Sequence, residues 1–221
     1  MNRSAATEHP LVKICGLQSA DMIDAAIAAG ADMIGLVIFP PSPRNVSIDD
    51  AAALARHAGD RTEVVALTVD ADDDLVDQIC ARVKPNWLQL HGKESPERSA
   101  AVRQRAARPV MKAIGVNNAE DIQYAMAYRQ IADRLLFDAK PPKDATRPGG
   151  LGVEFDWTLM ESLDRDIAFM LSGGLTIENV AHAVAMTRPL GVDVSSGVER
   201  TLANKDADMI GAFIAAARGT A

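Results

Sequence analysis

Short runs of Val, Ile and Leu recur along the chain, and between them the apolar positions spread to three- and four-residue spacing. The runs predict strands at residues 11–15, 33–39, 63–69, 87–90, 110–114, 134–138, 168–171 and 191–194. Successive starts lie about 22 to 34 residues apart, the length of one strand–loop–helix–loop unit. Helices are expected at 21–29, 48–57 and 73–82, with Asn118 and Thr176 as caps of later ones and Pro96 in a first helical turn. One pentapeptide, Ala-Asp-Met-Ile-Gly, occurs at 31–35 and again at 207–211. The first copy runs into Leu36-Val37-Ile38-Phe39 and should enter a strand. The second runs into Ala212-Phe213-Ile214-Ala215 and should be helical, because neighbours override local propensity.

Eight such units point to the α/β class and to a single (β/α)₈ TIM barrel over residues 11–221, preceded by a flexible tail at 1–10. A doubly wound open sheet is the alternative, but it would place a glycine-rich phosphate turn after the first strand. Here that turn reads Gly16-Leu17-Gln18.

The chain has 221 residues, 23 Lys+Arg and 30 Asp+Glu, for a formal charge of −7. That balance argues against nucleic acid or an anionic membrane as partner. No apolar run is long enough to span a bilayer, and the start has no secretion signal. Two cysteines, Cys15 and Cys80, are too few for a disulfide framework, which suits the cytoplasm. Nothing in the chain has metal-ligand spacing, so no metal is expected. The sequence leaves monomer and homodimer both open.

In a barrel, reactive groups come from the carboxyl ends of strands. Lys13 and Cys15 share one face of the first strand, while Val12 and Ile14 share the other. With the apolar pair facing the helices, an ammonium and a thiol point into the barrel mouth. Cys15 is then either a small buried hydrophobe or a base or nucleophile whose thiolate Lys13 favours. Cys80 falls among Val76, Ile79 and Val83 and is expected in the core. Asp138 ends the sixth strand, either as an ionisable group with a function or as a carboxylate accepting bonds from a loop. Arg44 follows Pro40-Pro41-Ser42-Pro43 in a stiffened loop and offers a planar fork to a carboxylate or phosphate. Gln89 and His91 end the fourth strand and would orient other groups. Ser172-Gly173-Gly174 and Ser195-Ser196-Gly197 follow strands seven and eight, where barrels commonly seat a phosphate on backbone N–H groups.

Taken in order, the motifs Lys13-Ile14-Cys15-Gly16, Ser42-Pro43-Arg44, Gln89-Leu90-His91-Gly92, Phe137-Asp138, Gly149-Gly150, Phe155-Asp156-Trp157, Ser172-Gly173-Gly174-Leu175 and Asp193-Val194-Ser195-Ser196-Gly197-Val198-Glu199 resemble the phosphoribosylanthranilate isomerase family of tryptophan biosynthesis. They span nearly the whole chain beyond its first ten residues. The resemblance implies an Amadori rearrangement of N-(5-phosphoribosyl)anthranilate to 1-(2-carboxyphenylamino)-1-deoxyribulose 5-phosphate. It implies Cys15 as general base, Asp138 as general acid and Arg44 on the anthranilate carboxylate. Lys13, His91 and Asp193 would complete the substrate site. Gly149, Gly150, Gly173, Gly174, Ser196 and Gly197 would hold the phosphate. The chain departs from the family pattern at Leu151, Arg200 and Leu202-Ala203, the last standing where Pro-Gly is usual. Sister barrels of histidine biosynthesis carry Asp where this chain has Cys15. A barrel that only binds a phosphorylated metabolite would need neither Cys15 nor Asp138.

Overall fold

The computed structural model describes residues 9–140, 155–164 and 166–220. Eight parallel strands close in chain order: β1 (Leu11–Cys15), β2 (Met33–Val37), β3 (Glu63–Thr68), β4 (Trp87–Leu90), β5 (Val110–Val116), β6 (Arg134–Ala139), β7 (Phe169–Leu171) and β8 (Gly191–Val194). β1 completes the ring, with Lys13 opposite Met33 of β2 and Asp193 of β8. Every expected strand is present, with ends displaced by at most two residues. A short antiparallel hairpin, β9 (Glu199–Thr201) and β10 (Asn204–Lys205), follows β8 at the mouth.

The α-helices among the described residues are α1 (Ala20–Ala28), α2 (Ile48–Ala58), α3 (Asp73–Gln78), α4 (Pro96–Ala106), α5 (Ala119–Ala125), α6 (Val180–Thr187) and α7 (Ala207–Arg218). Their starts are written in the sequence. Ser19, Ser47, Asp72, Ser95, Asn118 and Asp206 each accept a backbone N–H of the first turn, and Pro96 sits where its missing N–H costs nothing.

Three expectations are corrected. Thr176 is not a cap: α6 begins only after Asn179, whose side chain accepts the Thr176 N–H. The described residues between β6 and β7 form a 3₁₀ helix, Trp157–Ser162, and not an α-helix. Cys80 lies in a π-helical turn, Ile79–Val83, and is half-buried at the edge of the core.

Alternation along each strand builds two cores. Val12, Ile14, Ile34, Leu36, Leu135 and Phe137 face outward into the layer shared with the helices. Met33, Val65, Trp87, Met111, Leu136 and Met170 face inward and fill the barrel's lower half. The Arg134 guanidinium lies 4.3 Å from the Trp87 ring centroid, where it closes the floor. Above this plug Cys15, Val37 and Leu67, with the partly buried Phe39 and Val69, form a smaller apolar cluster, and the ionisable Lys13, Asp138 and Asp193 share the upper interior. The repeated pentapeptide splits as expected: Met33 to Gly35 lie in β2 and Met209 to Gly211 in α7. No helix among the described residues is long and apolar enough to cross a membrane.

Candidate active site

Cys15 ends β1 at the mouth and is buried, as is Lys13 one step below on the same face. Gly35 makes the thiol's place. A Cβ there would stand 2.8 Å from Cys15 Sγ and 3.2 Å from Lys13 Nζ. The Lys13 ammonium is not free to serve the thiol alone, because it donates to Asp193 Oδ1 at 2.8 Å. Burial disfavours the Lys13 charge, but Asp193 and Cys15 outweigh it, so Lys13 stays ionised above the usual lysine range. Burial pushes the Cys15 thiol up, and the pull of Lys13, shared with Asp193, does not reverse it. The thiol is therefore held above its ordinary range and not below it. This corrects the expectation that Lys13 would leave it a thiolate.

Asp138 leaves β6 on the other side of β7 and β8 from Cys15, and it too is buried. Its Oδ1 accepts the Ala139 N–H at 2.8 Å, and its Oδ2 lies 3.2 Å from His91 Nε2. Gln89 Nε2 donates to His91 Nδ1 at 2.8 Å, so the imidazole proton lies on Nε2, toward Asp138. The loop carrying His91 is held from behind. Glu94 accepts the Gly92 N–H, and the buried Lys112 ammonium bridges Leu90 O, Gly92 O and Glu94 Oε2. Gly173 packs against the acid: a Cβ there would lie 2.4 Å from Ala139 N and 3.0 Å from Asp138 Oδ1.

Arg44 is almost fully buried and paired with a carboxylate of the chain itself. Its Nε and Nη2 donate to Glu199 Oε1 and Oε2 at 2.6 and 2.8 Å. Glu199 also accepts Lys205 Nζ at 2.7 Å and the Ala203 N–H at 3.1 Å. Lys205 in turn donates to Ser195 O and Oγ, and Ser195 Oγ donates to Cys15 O. The loop after β2, the hairpin and the end of β1 are thus one connected unit.

The two glycine-rich turns lie where expected. Gly173 and Gly174 have φ of 86° and 64°, open to glycine at no steric cost, and the Gly174 carbonyl accepts from Asn179 Nδ2. Ser196 and Gly197 begin a 3₁₀ helix, Ser196–Val198, whose first N–H groups have no acceptor within it. Gly197 admits no side chain, since a Cβ would meet Leu175 O at 2.0 Å. Gly149 and Gly150 lie outside the described residues. Among the described residues no three His, Cys, Asp or Glu side chains gather as a metal site. Glu199, Lys205 and Gly35 carried no role in the sequence. An isolated glycine inside a strand does signal a close approach, which is what Gly35 provides. Glu199 closes the motif that begins at Asp193, but its pairing with Arg44, 155 residues away, leaves no mark in the sequence.

The model of the family described as N-(5'-phosphoribosyl)anthranilate (PRA) isomerase matches residues 12–216. An N-(5'-phosphoribosyl)anthranilate isomerase from Afipia carboxidovorans is 57% identical over 208 residues, which cover 94% of this chain and 89% of that protein. The crystal structure of phosphoribosyl anthranilate isomerase from Thermotoga maritima matches with a TM-score of 0.86 at 36% identity, over 95% of this chain and 99% of its own. A phosphoribosyl anthranilate isomerase in complex with reduced 1-(o-carboxyphenylamino)-1-deoxyribulose 5-phosphate matches with a TM-score of 0.83 at 34% identity, over the same shares of the two chains.

Proposed function

The chain belongs to the N-(5'-phosphoribosyl)anthranilate isomerase family, and we propose that Cys15 and Asp138 are the base and acid of its reaction. It isomerises N-(5'-phosphoribosyl)anthranilate to 1-(o-carboxyphenylamino)-1-deoxyribulose 5-phosphate in tryptophan biosynthesis. The observation that supports the assignment is a buried thiol and a buried carboxyl at the ends of β1 and β6, on opposite walls of one barrel mouth. The reaction moves two protons at different atoms, so an acid and a base on separate walls suit it.

Asp138 delivers a proton from its carboxyl to the ribose ring oxygen, held in place by the Ala139 N–H on Oδ1 and by His91 beside Oδ2. The C1–O bond breaks as the anthranilate nitrogen lone pair forms a C=N bond, which opens the ring to an iminium. The ionised Cys15 then removes the proton from C2, and the C–H pair flows toward nitrogen to give an enolamine. Proton return at C1 and loss from the C2 hydroxyl yield the ketone. His91 holds Asp138, and Lys13 with Asp193 forms the charged wall beside Cys15. Arg44 meets the anthranilate carboxylate. The N–H groups of Gly173, Gly174, Ser196 and Gly197, together with Gly149 and Gly150, seat the phosphate.

Turnover followed by loss of the substrate's fluorescence tests this directly. Cys15→Ser and Asp138→Asn are each expected to lower kcat at least ~10²-fold, with much smaller changes in substrate affinity. Gly174→Val is expected to raise KM by blocking the anion seat. Near-normal turnover in Cys15→Ser refutes the base assignment, and an unchanged KM in Gly174→Val refutes the phosphate seat.

A further inference from the structure

We propose that Glu199 is a positioning residue that sets the site's preference for a carboxylated substrate, by gripping one edge of the Arg44 guanidinium and turning the other edge to the anthranilate carboxylate. The inference rests on Arg44 being the carboxylate partner.

A guanidinium has five N–H donors in a rigid plane. Glu199 takes two, from Nε and Nη2. The three that remain sit on Nη1 and on the outer side of Nη2, and the two parallel ones there form a second fork of the same width. A carboxylate arriving on that edge meets a planar partner that is already oriented. Glu199 itself has nothing to spare. Its four acceptor positions are filled by Arg44 Nε, Arg44 Nη2, Lys205 Nζ and the Ala203 N–H. The Arg44 stem is fixed as well, because it crosses Gly16, where a Cβ would stand 2.6 Å from Arg44 Cδ.

Charge points the same way. Arg44 and Lys205 bring two positive charges and Glu199 one negative, all with side chains at most 4% exposed. Burial opposes the Glu199 charge, but the hydrogen bonds from Arg44 and the charge of Lys205 outweigh it and hold its carboxyl down to about 2. The neighbouring Lys13–Asp193 pair is neutral in sum. The Arg44–Glu199–Lys205 group therefore carries one net positive charge, and a carboxylate arriving on Arg44 neutralises it. Lys205 bonds both Glu199 and Ser195, so the carboxylate grip is also tied to the turn that seats the phosphate.

The test compares kcat/KM for N-(5'-phosphoribosyl)anthranilate and for its N-(5'-phosphoribosyl)aniline counterpart, which lacks only the carboxylate. The ratio of the two, measured on one preparation, is independent of the folded fraction. The wild-type protein is expected to favour the carboxylated substrate by ~10- to 10²-fold, the size of a charged hydrogen-bond pair. Arg44→Ala should abolish the preference. Glu199→Gln should lower it by ~10-fold, mainly through KM of the carboxylated substrate, and Glu199→Asp should restore part of it. Glu199→Gln combined with Arg44→Ala should lose no more preference than Arg44→Ala alone. A full preference in Glu199→Gln beside its loss in Arg44→Ala overturns the role of Glu199 alone. A full preference in Arg44→Ala overturns the carboxylate reading of Arg44, and the role of Glu199 falls with it. If Glu199→Gln does not fold, the ratio in Glu199→Asp decides, because a side chain one methylene shorter cannot span Arg44, Lys205 and the Ala203 N–H together; an unchanged ratio there overturns the proposal.

Discussion

Replacing Glu199 with Gln removes one negative charge from a place where Arg44 and Lys205 both depend on it. The Glu199 carboxyl titrates near 2 in the folded chain, against 4.5 for an ordinary glutamate. Burial works against this lowering, and the hydrogen bonds from Arg44 and the charge of Lys205 overcome it. A difference of that size corresponds to about 3 kcal/mol of folding free energy at neutral pH. Because the folded value is the depressed one, the contribution is complete above 4.5 and is lost as the pH falls toward 2. Glutamine takes up no proton over that range. Glu199→Gln should therefore be less stable by about 3 kcal/mol at neutral pH, with any excess reflecting two buried cations left without a counter-charge. The gap should close as the pH is lowered. Urea unfolding followed by the fluorescence of Trp87 and Trp157, repeated from neutral to acid pH on both proteins, measures it. Other depressed carboxyls, such as Asp121 and Asp133, titrate in both proteins and cancel in the difference. A gap that stays constant with pH refutes the claim that Glu199 is held ionised by Arg44 and Lys205.

Three further outcomes follow from the same geometry. With the Cys15 thiol pushed by burial above its ordinary value of 9.0, kcat/KM should rise with pH without levelling off below that value, and Lys13→Met should move the rise to higher pH; a flat wild-type profile contradicts it. Gly35→Ala puts a Cβ 2.8 Å from Cys15 Sγ, so it should lower kcat far more than it raises KM, and equal effects on both would mean the thiol is not displaced. Ala203 holds φ at 61° in the turn between β9 and β10, where an L side chain is strained. Ala203→Gly should raise stability by about 1 kcal/mol in urea unfolding, and a loss would show that the turn has other constraints.

The barrel was legible because its parallel strands are buried on both faces and still alternate in kind. Val12 and Ile14 pack outward, while Lys13 and Cys15 point in, and that split is written in four consecutive residues. Helix starts were legible wherever a Ser, Asp or Asn precedes a helical run. Thr176 misled because the Gly173-Gly174 turn leads into a longer connection, and the side chain of Asn179, three residues on, organises it. The eight-unit count also implied an α-helix after β6, where the described residues form only a short 3₁₀ helix, Trp157–Ser162.

At the site, position was legible and charge state was not. A thiol and a carboxyl at the ends of β1 and β6 can be read directly from strand ends, because a closed sheet sends every strand's carboxyl end to the same rim. The ionisation of Cys15 depends on how Lys13 divides its charge, and its other partner, Asp193, is 180 residues away on β8. Sequence proximity made Lys13 look like a dedicated neighbour of the thiol. Register makes it half of an ion pair. The same holds for Arg44, which reads as a loop cation with a free fork until Glu199 is seen to hold one edge of it. In both cases a carboxylate from the β8 end of the chain takes up the charge that a residue near the start presents. The mouth's electrostatics are thus set where β8 closes on β1, the one strand pairing that no local stretch of sequence contains.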